Sequence, residues 1–145
     1  DGLPVGLGEP FFDSVESLLS HAVFSIPAVK GIEFGDGFAS ARMHGSEYND
    51  ALVSTDGKTA SNHAGGINGG LSNGNPMVFR VAFKPTSSIA LSQKTMDIEK
   101  GELSELRVRG RHDPCIALRA VPVVECTAAI VLCDLMLLEQ KLARK

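Results

Sequence analysis

The sequence predicts an α+β fold in which helices are sandwiched between other layers, two sheets being one such arrangement. Three stretches carry that expectation. Met77 to Lys84 alternates strictly, with Met77, Phe79, Val81 and Phe83 on one face and Val78, Arg80, Ala82 and Lys84 on the other. That is the period of a strand with one solvated side. From Pro114 to about Leu142 a helical segment is apolar nearly all round, with only Thr127 and Asp134 polar between Cys126 and Leu138. Such a helix is expected to be buried on several sides. From Pro10 onward, Phe11, Phe12, Val15, Leu18, Leu19, Ala22 and Val23 form one apolar stripe at helical spacing.

The elements follow in order. Residues 1–9 read as a Gly/Pro loop, and Pro10 suits the first position of the helix that Pro27 stops. Val29 to Phe34 reads as a short strand ended by Gly35-Asp36-Gly37. Residues 44–75 are rich in Gly, Asn, Ser and Asp and keep little periodicity, so a long loop, functional or mobile, is expected there. After the Met77–Lys84 strand the chain leaves through Pro85-Thr86-Ser87-Ser88, and residues 94–109 suit a polar hairpin around Lys100-Gly101. Asp113 is expected to cap the last helix, with Pro114 at its first position, and Pro122 to kink or split it. A bilayer span needs about 20 apolar residues. Asp134 interrupts this run, so a core helix is expected and not a membrane one.

The 145 residues suit a single domain, 1–145, with no linker dividing it. Apolar residues make up 43% and charged residues 21%, the balance of a folded globular chain. With 17 acidic and 14 basic residues the net charge is −3, which disfavours nucleic acid and membrane surfaces as partners. The three cysteines, Cys115, Cys126 and Cys133, are odd in number and lie in apolar sequence. They are expected to be free, buried thiols of a reducing compartment, and the protein cytoplasmic. No CxxC pair or histidine spacing suggests a metal. The opening DGLPVGLGEP has no initiator Met and no leader pattern, and reads like the middle of a longer protein.

Three constellations have chemistry to offer. Gly65-Gly66-Ile67-Asn68-Gly69-Gly70 is either a surface loop or a backbone cradle for an anion, and it lacks a Walker or dinucleotide pattern. Lys84-Pro85-Thr86-Ser87-Ser88 sets a cation and three hydroxyls at a strand end, suited to a phosphate or an anionic ring, or simply to a solvated turn. Arg109-Gly110-Arg111-His112-Asp113 gathers two guanidiniums, an imidazole and a carboxylate beside a helix start, where anions are favoured. Together they suggest a site for an anionic ligand with a planar or phosphorylated part. The residues by themselves name no reaction.

As a set, GLGEP, SIPAVKGIEFGDGF, GSEYND, SNHAGGINGGLSNGNP, VAFKPTSSI, GRHDPC and RAVPVVEC occur in this order. The set strongly resembles the C-terminal part of chorismate synthase, from Gly2 to Leu138. The resemblance implies half of that family's β-α-β sandwich, with helices between antiparallel sheets, in a cytoplasmic homotetramer. It implies a lyase of the shikimate pathway that removes phosphate and a ring proton from 5-enolpyruvylshikimate 3-phosphate to give chorismate. The reaction needs reduced FMN without net redox change, because the cofactor carries the hard chemistry. Some relatives also reduce their own flavin, which brings in NADP.

The resemblance also assigns residues. Lys84, Pro85, Thr86, Ser87 and Ser88, together with Gly69 and Arg111, match FMN-contacting positions, and Asp113 matches the acidic residue that assists proton transfer at the flavin. Pro27 and Ala28 match a further FMN-contacting pair, although relatives often carry Asn or Gln at the first position. Asn68 stands where Leu is common. The family's N-terminal histidines, phosphate-holding arginines and RSSAR-like segment have no counterpart here. The expectation is therefore a fragment that does not turn over alone, or else a folding module without useful ligand affinity.

Overall fold

The computed structural model describes residues 1–141. Its regular elements are helix α1 (Val15–Phe24), strand β1 (Val29–Phe34), the one-turn helix α2 (Gly45–Tyr48), the short strands β2 (Ile67–Asn68) and β3 (Leu71–Ser72), strands β4 (Phe79–Phe83), β5 (Gln93–Asp97) and β6 (Glu102–Leu106), and the long helix α3 (Ala117–Lys141). The strands form three antiparallel pairs, β1 with β4, β2 with β3, and β5 with β6. Helices and antiparallel sheets together make the α+β architecture expected from the sequence.

The first helix starts later than its apolar stripe suggested. Residues Phe11–Asp13 form a separate 3₁₀ turn, and Ser14 is the cap of α1, its Oγ accepting from the Ser17 N–H at 3.1 Å. A serine cap satisfies a helix-end donor, which Pro10 had no side chain to do. Phe11 and Phe12 therefore fall outside the helix and are 86% and 88% exposed. Val15, Leu19 and Val23, one helical face, are fully buried.

The hairpin β2–β3 docks on the start of α1. The Gly70 carbonyl accepts from the Val15 N–H at 2.9 Å, one of the donors every helix leaves unpaired at its first turn. Gly69 and Gly70 both have positive φ, 58° and 86°, as a two-residue hairpin turn of this hand requires. The N-terminal segment then runs beside β3. Gly6 N–H donates to Ser72 O at 2.7 Å, and Ser72 N–H donates to Leu7 O at 3.0 Å. The Ser72 hydroxyl, buried, accepts from Leu7 N–H and donates to Pro4 O.

The segment 44–75 is ordered by polar side chains rather than by periodic packing. Asp50 accepts from the Ser61 hydroxyl and from the backbone N–H groups of His63 and Ala64. His63 Nδ1 lies 2.5 Å from Asp36 Oδ2, which ties the segment to the end of β1. Gly35 and Gly65 pack backbone to backbone, too close for a Cβ on either. Part of the glycine cluster is thus explained by close packing.

The core gathers Leu7, Val15, Leu19, Ile67, Ala128 and Leu135, joining the N-terminal segment, α1, β2 and α3. Only one stripe of α3, Ala120, Ala128 and Leu135, is buried. Leu118, Val121, Ile130 and Leu137 are more than half exposed. The burial on several sides expected for this helix is therefore not met within the described residues, which supply one layer against it, chiefly α1. Cys115, Cys126 and Cys133 are free as expected but exposed, because they lie off that stripe.

Helix α3 begins at Ala117, not Pro114, and continues through Pro122 without splitting. Leu142, the expected end, lies outside the described residues. By length and composition α3 is long and apolar enough to cross a membrane, Asp134 notwithstanding. The expected polar hairpin is β5–β6, in register from Gln93 opposite Leu106 to Asp97 opposite Glu102.

Two outcomes follow from these contacts. Ser72→Ala strands the buried Leu7 N–H and should destabilise the chain by about 2 kcal/mol in urea unfolding; a loss under about 0.5 kcal/mol would contradict the role given to that hydroxyl. Burial alone would raise the Asp50 carboxyl, but the N–H groups of Ala64 and His63, the Ser61 hydroxyl and the nearby His63 ring outweigh it and hold Asp50 below its ordinary 3.8. A depressed carboxyl stabilises the fold above its unfolded value, and that contribution is lost as pH falls through the folded value. The amides of His63 and Ala64 should therefore lose hydrogen-exchange protection as pH falls below about 3.8, before the β1–β4 ladder does. The same loss, at the same pH, in Asp50→Asn would refute the assignment.

Candidate functional site

The site is assembled by the β1–β4 ladder. In its antiparallel register Val29 lies opposite Phe83 and Phe34 opposite Phe79. One residue beyond the last pair, the Lys84 N–H donates to the Ala28 carbonyl at 2.8 Å. Pro27-Ala28 and Lys84-Pro85, far apart in sequence, thus become neighbours at one sheet end. Ala28 holds φ at 74°, a left-handed conformation that side chains disfavour. Strain of this kind persists only where surrounding contacts over-determine it, and it concentrates at functional sites.

Beyond Lys84 the chain presents alternate residues to a single polar cavity of about 470 Å³, lined by Thr86, Ser88, Arg111, His112, Asp113 and Arg119. Thr86 and Ser88 are half-buried, while Lys84, Pro85 and Ser87 are exposed and outside the lining. Arg111, His112 and Asp113 of the GRHD segment complete the lining together with Arg119. The His112 ring lies over Gly110, where an added Cβ would come within 3.4 Å of its Cε1 and Nε2. His112 Nε2 is buried without a hydrogen-bond partner among the described residues. Buried polar atoms are almost always paired, so this nitrogen is an exception within a residue that lines the cavity.

Asp113 does not cap α3. Its Oδ2 lies 2.5 Å from Arg119 Nη2, on the first turn of that helix. The helix starts three residues after Pro114, which puts Asp113 too far back to reach the first N–H groups. Arg119 is the residue that sequence reasoning missed. No helical spacing relates it to Asp113, because Asp113 lies outside the helix, so no periodic signal was available. With two guanidiniums against one carboxylate, the lining has a net positive bias, and the two hydroxyls add short-range donors.

Pro27 and Ala28 are joined to Lys84 through the ladder, while Thr86, Ser88, Arg111 and Asp113 share the cavity. Gly69 is brought to neither. It sits exposed at the tip of β2–β3, with open space around it. Arg109, Pro85 and Ser87 also lie outside the lining. Among the described residues no group of three or more His, Cys, Asp and Glu is placed to hold a metal ion.

Fold and site together define an α+β protein with a polar, cation-biased cavity suited to an anionic, phosphate-bearing ligand. The chain belongs to the chorismate synthase family, whose family model, described as chorismate synthase, matches residues 1–137. It is 64% identical over 141 residues to the chorismate synthase of Chitinophaga pinensis, covering 97% of this chain and 42% of that protein. It is 54% identical over 144 residues to the chorismate synthase of Archaeoglobus fulgidus, covering 98% of this chain and 40% of that protein. A crystal structure of chorismate synthase superposes with a TM-score of 0.72 at 32% identity, over 98% of this chain and 36% of the other. The chain thus spans about two-fifths of the length of the curated relatives it matches.

The strain at Ala28 gives a direct check. Ala28→Gly is expected to keep or raise thermal stability, by up to about 1 kcal/mol, because relief of the left-handed penalty offsets the added freedom of the unfolded chain. Ala28→Val should lower it by more than about 1 kcal/mol, since a branched side chain tolerates this φ less well. A clear loss of stability in Ala28→Gly would contradict the backbone assignment.

Proposed function

We propose that this chain supplies part of the FMN and substrate site of a carbon–oxygen lyase that acts on 5-enolpyruvylshikimate 3-phosphate. The reaction is the 1,4-elimination of phosphate with loss of a ring proton on the opposite face, giving chorismate. Family membership supports the activity. The observation that carries the site is the shared cavity of Thr86, Ser88, Arg111, His112, Asp113 and Arg119. Its donor set, two guanidiniums and two hydroxyls, fits an anionic, phosphate-bearing group.

In this reading Arg111 and the Thr86 and Ser88 hydroxyls donate to the anionic parts of the bound groups, and Lys84 adds positive charge at the strand end. Ala28 and Pro27 contribute backbone and packing only, since neither carries a polar side chain. Reduced FMN, when bound, would supply transient electron density with no net redox change. Asp113 holds or takes a proton at a carboxylate oxygen, kept in place by Arg119. The ring C–O bond breaks with its electron pair leaving on phosphate, and the C–H bond breaks with its proton passing to a base. The C–H electron pair, relayed through the existing ring double bond, completes the conjugated diene, so atoms and electrons balance.

Several further features belong to the same proposal. The chain is one folding unit, and the exposed faces of α3 are covered by the remainder of a longer family polypeptide, without contact with membrane or nucleic acid. The intact enzyme is a homotetramer of the cytoplasm. The 145 residues alone do not turn over, and formation of chorismate by the pure chain with reduced FMN and substrate would contradict this.

Fluorescence titration with FMN tests the site. Saturable binding, weakened about tenfold or more by Lys84→Ala or Arg111→Ala, is the expected result. Absence of binding at millimolar FMN would instead support a folding module that keeps the scaffold without ligand affinity.

A further inference from the structure

The Arg119–Asp113 ion pair raises a question that packing does not answer. Arg119 stands on the first turn of α3, the end of a helix where positive charge is disfavoured by the dipole. Its side chain is 74% exposed and that of Asp113 34% exposed, so the pair is a surface pair of the kind that adds little to stability. Neither helix formation nor the core explains the arginine. Its position does, because both partners line the cavity with Arg111, His112, Thr86 and Ser88.

An anionic ligand in this cavity meets the Asp113 carboxylate as a like charge. Without compensation that carboxylate would repel the ligand, and its rotamer would be free. With Arg119 Nη2 at 2.5 Å from Oδ2, one carboxylate oxygen is fixed and its charge is offset. We infer that Arg119 is a positioning residue, which holds Asp113 and neutralises it so that an anionic, phosphate-bearing ligand can bind beside it. The inference rests on the proposed function for the identity of the ligand as FMN, but not for its charge.

The test uses five proteins, the unaltered chain, Arg119→Gln, Arg119→Lys, Asp113→Asn and the double variant Asp113→Asn/Arg119→Gln. Each is titrated with FMN and, separately, with inorganic phosphate, and its thermal unfolding is recorded. Arg119→Gln should weaken binding about tenfold while leaving the melting temperature nearly unchanged. The double variant should recover most of that loss, because the uncompensated carboxylate is gone, and Arg119→Lys should lie between Arg119→Gln and the unaltered chain. A merely structural arginine would not give recovery on removal of a second group. Unchanged binding in Arg119→Gln, or a double variant no better than Arg119→Gln, overturns the inference. Phosphate binding that follows Arg119 without any FMN binding keeps the inference and removes the flavin reading. Binding of neither ligand removes both.

Discussion

The candidate site at the sheet end depends first on one pairing, β1 against β4. The ladder sets Val29 opposite Phe83, and its last hydrogen bond, from the Lys84 N–H to the Ala28 carbonyl, lies just outside the regular strand. That bond fixes where the chain leaves the sheet. Pro85 then removes a donor and ends the strand, and Thr86 and Ser88 turn alternately into the cavity. The left-handed Ala28 is the local cost of bringing the two segments together. Without the ladder the two candidate segments are merely polar turns.

The second constraint is a core built from one side. Leu7, Val15, Leu19, Ile67, Ala128 and Leu135 hold α1, the β2–β3 hairpin and one stripe of α3 together. Around this core the loops rely on directional polar contacts. Asp50 gathers three donors, and Asp36 pairs with His63. Such contacts fix a loop that has too few apolar residues to pack. The remaining faces of α3 carry large apolar side chains to the surface, in keeping with a chain that spans 42% of a relative it matches at 64% identity.

Much of this was legible in the sequence where periodicity speaks. The alternation of Met77 to Lys84 marked β4, the turn at Lys100-Gly101 marked β5–β6, and the apolar run marked α3. Boundaries were less legible, because capping decides them. Ser14 begins α1 where the stripe pointed to Pro10, and α3 starts at Ala117 with Asp113 paired to Arg119 in place of capping it. The order within 44–75 was hidden, since hydrogen bonds to Asp50 leave no repeating pattern. The thiols were read as buried from the apolarity of their neighbours, but burial of a helix depends on the layers present around it. Motifs marked Thr86, Ser88, Arg111 and Asp113, and the fold does bring them together. Arg119 and the strain at Ala28 needed the backbone.

The central claim is that the end of the β1–β4 ladder and the GRHD segment form one ligand site. An amide-resolved NMR titration of the ¹⁵N-labelled chain with FMN tests it most directly. The account predicts concerted, saturable shifts at residue 28, at 84 and 86–88, and at 111–113, with the β5–β6 turn at 98–101 unmoved. Shifts confined to other surfaces, or shifts at only one of the two segments, would contradict it.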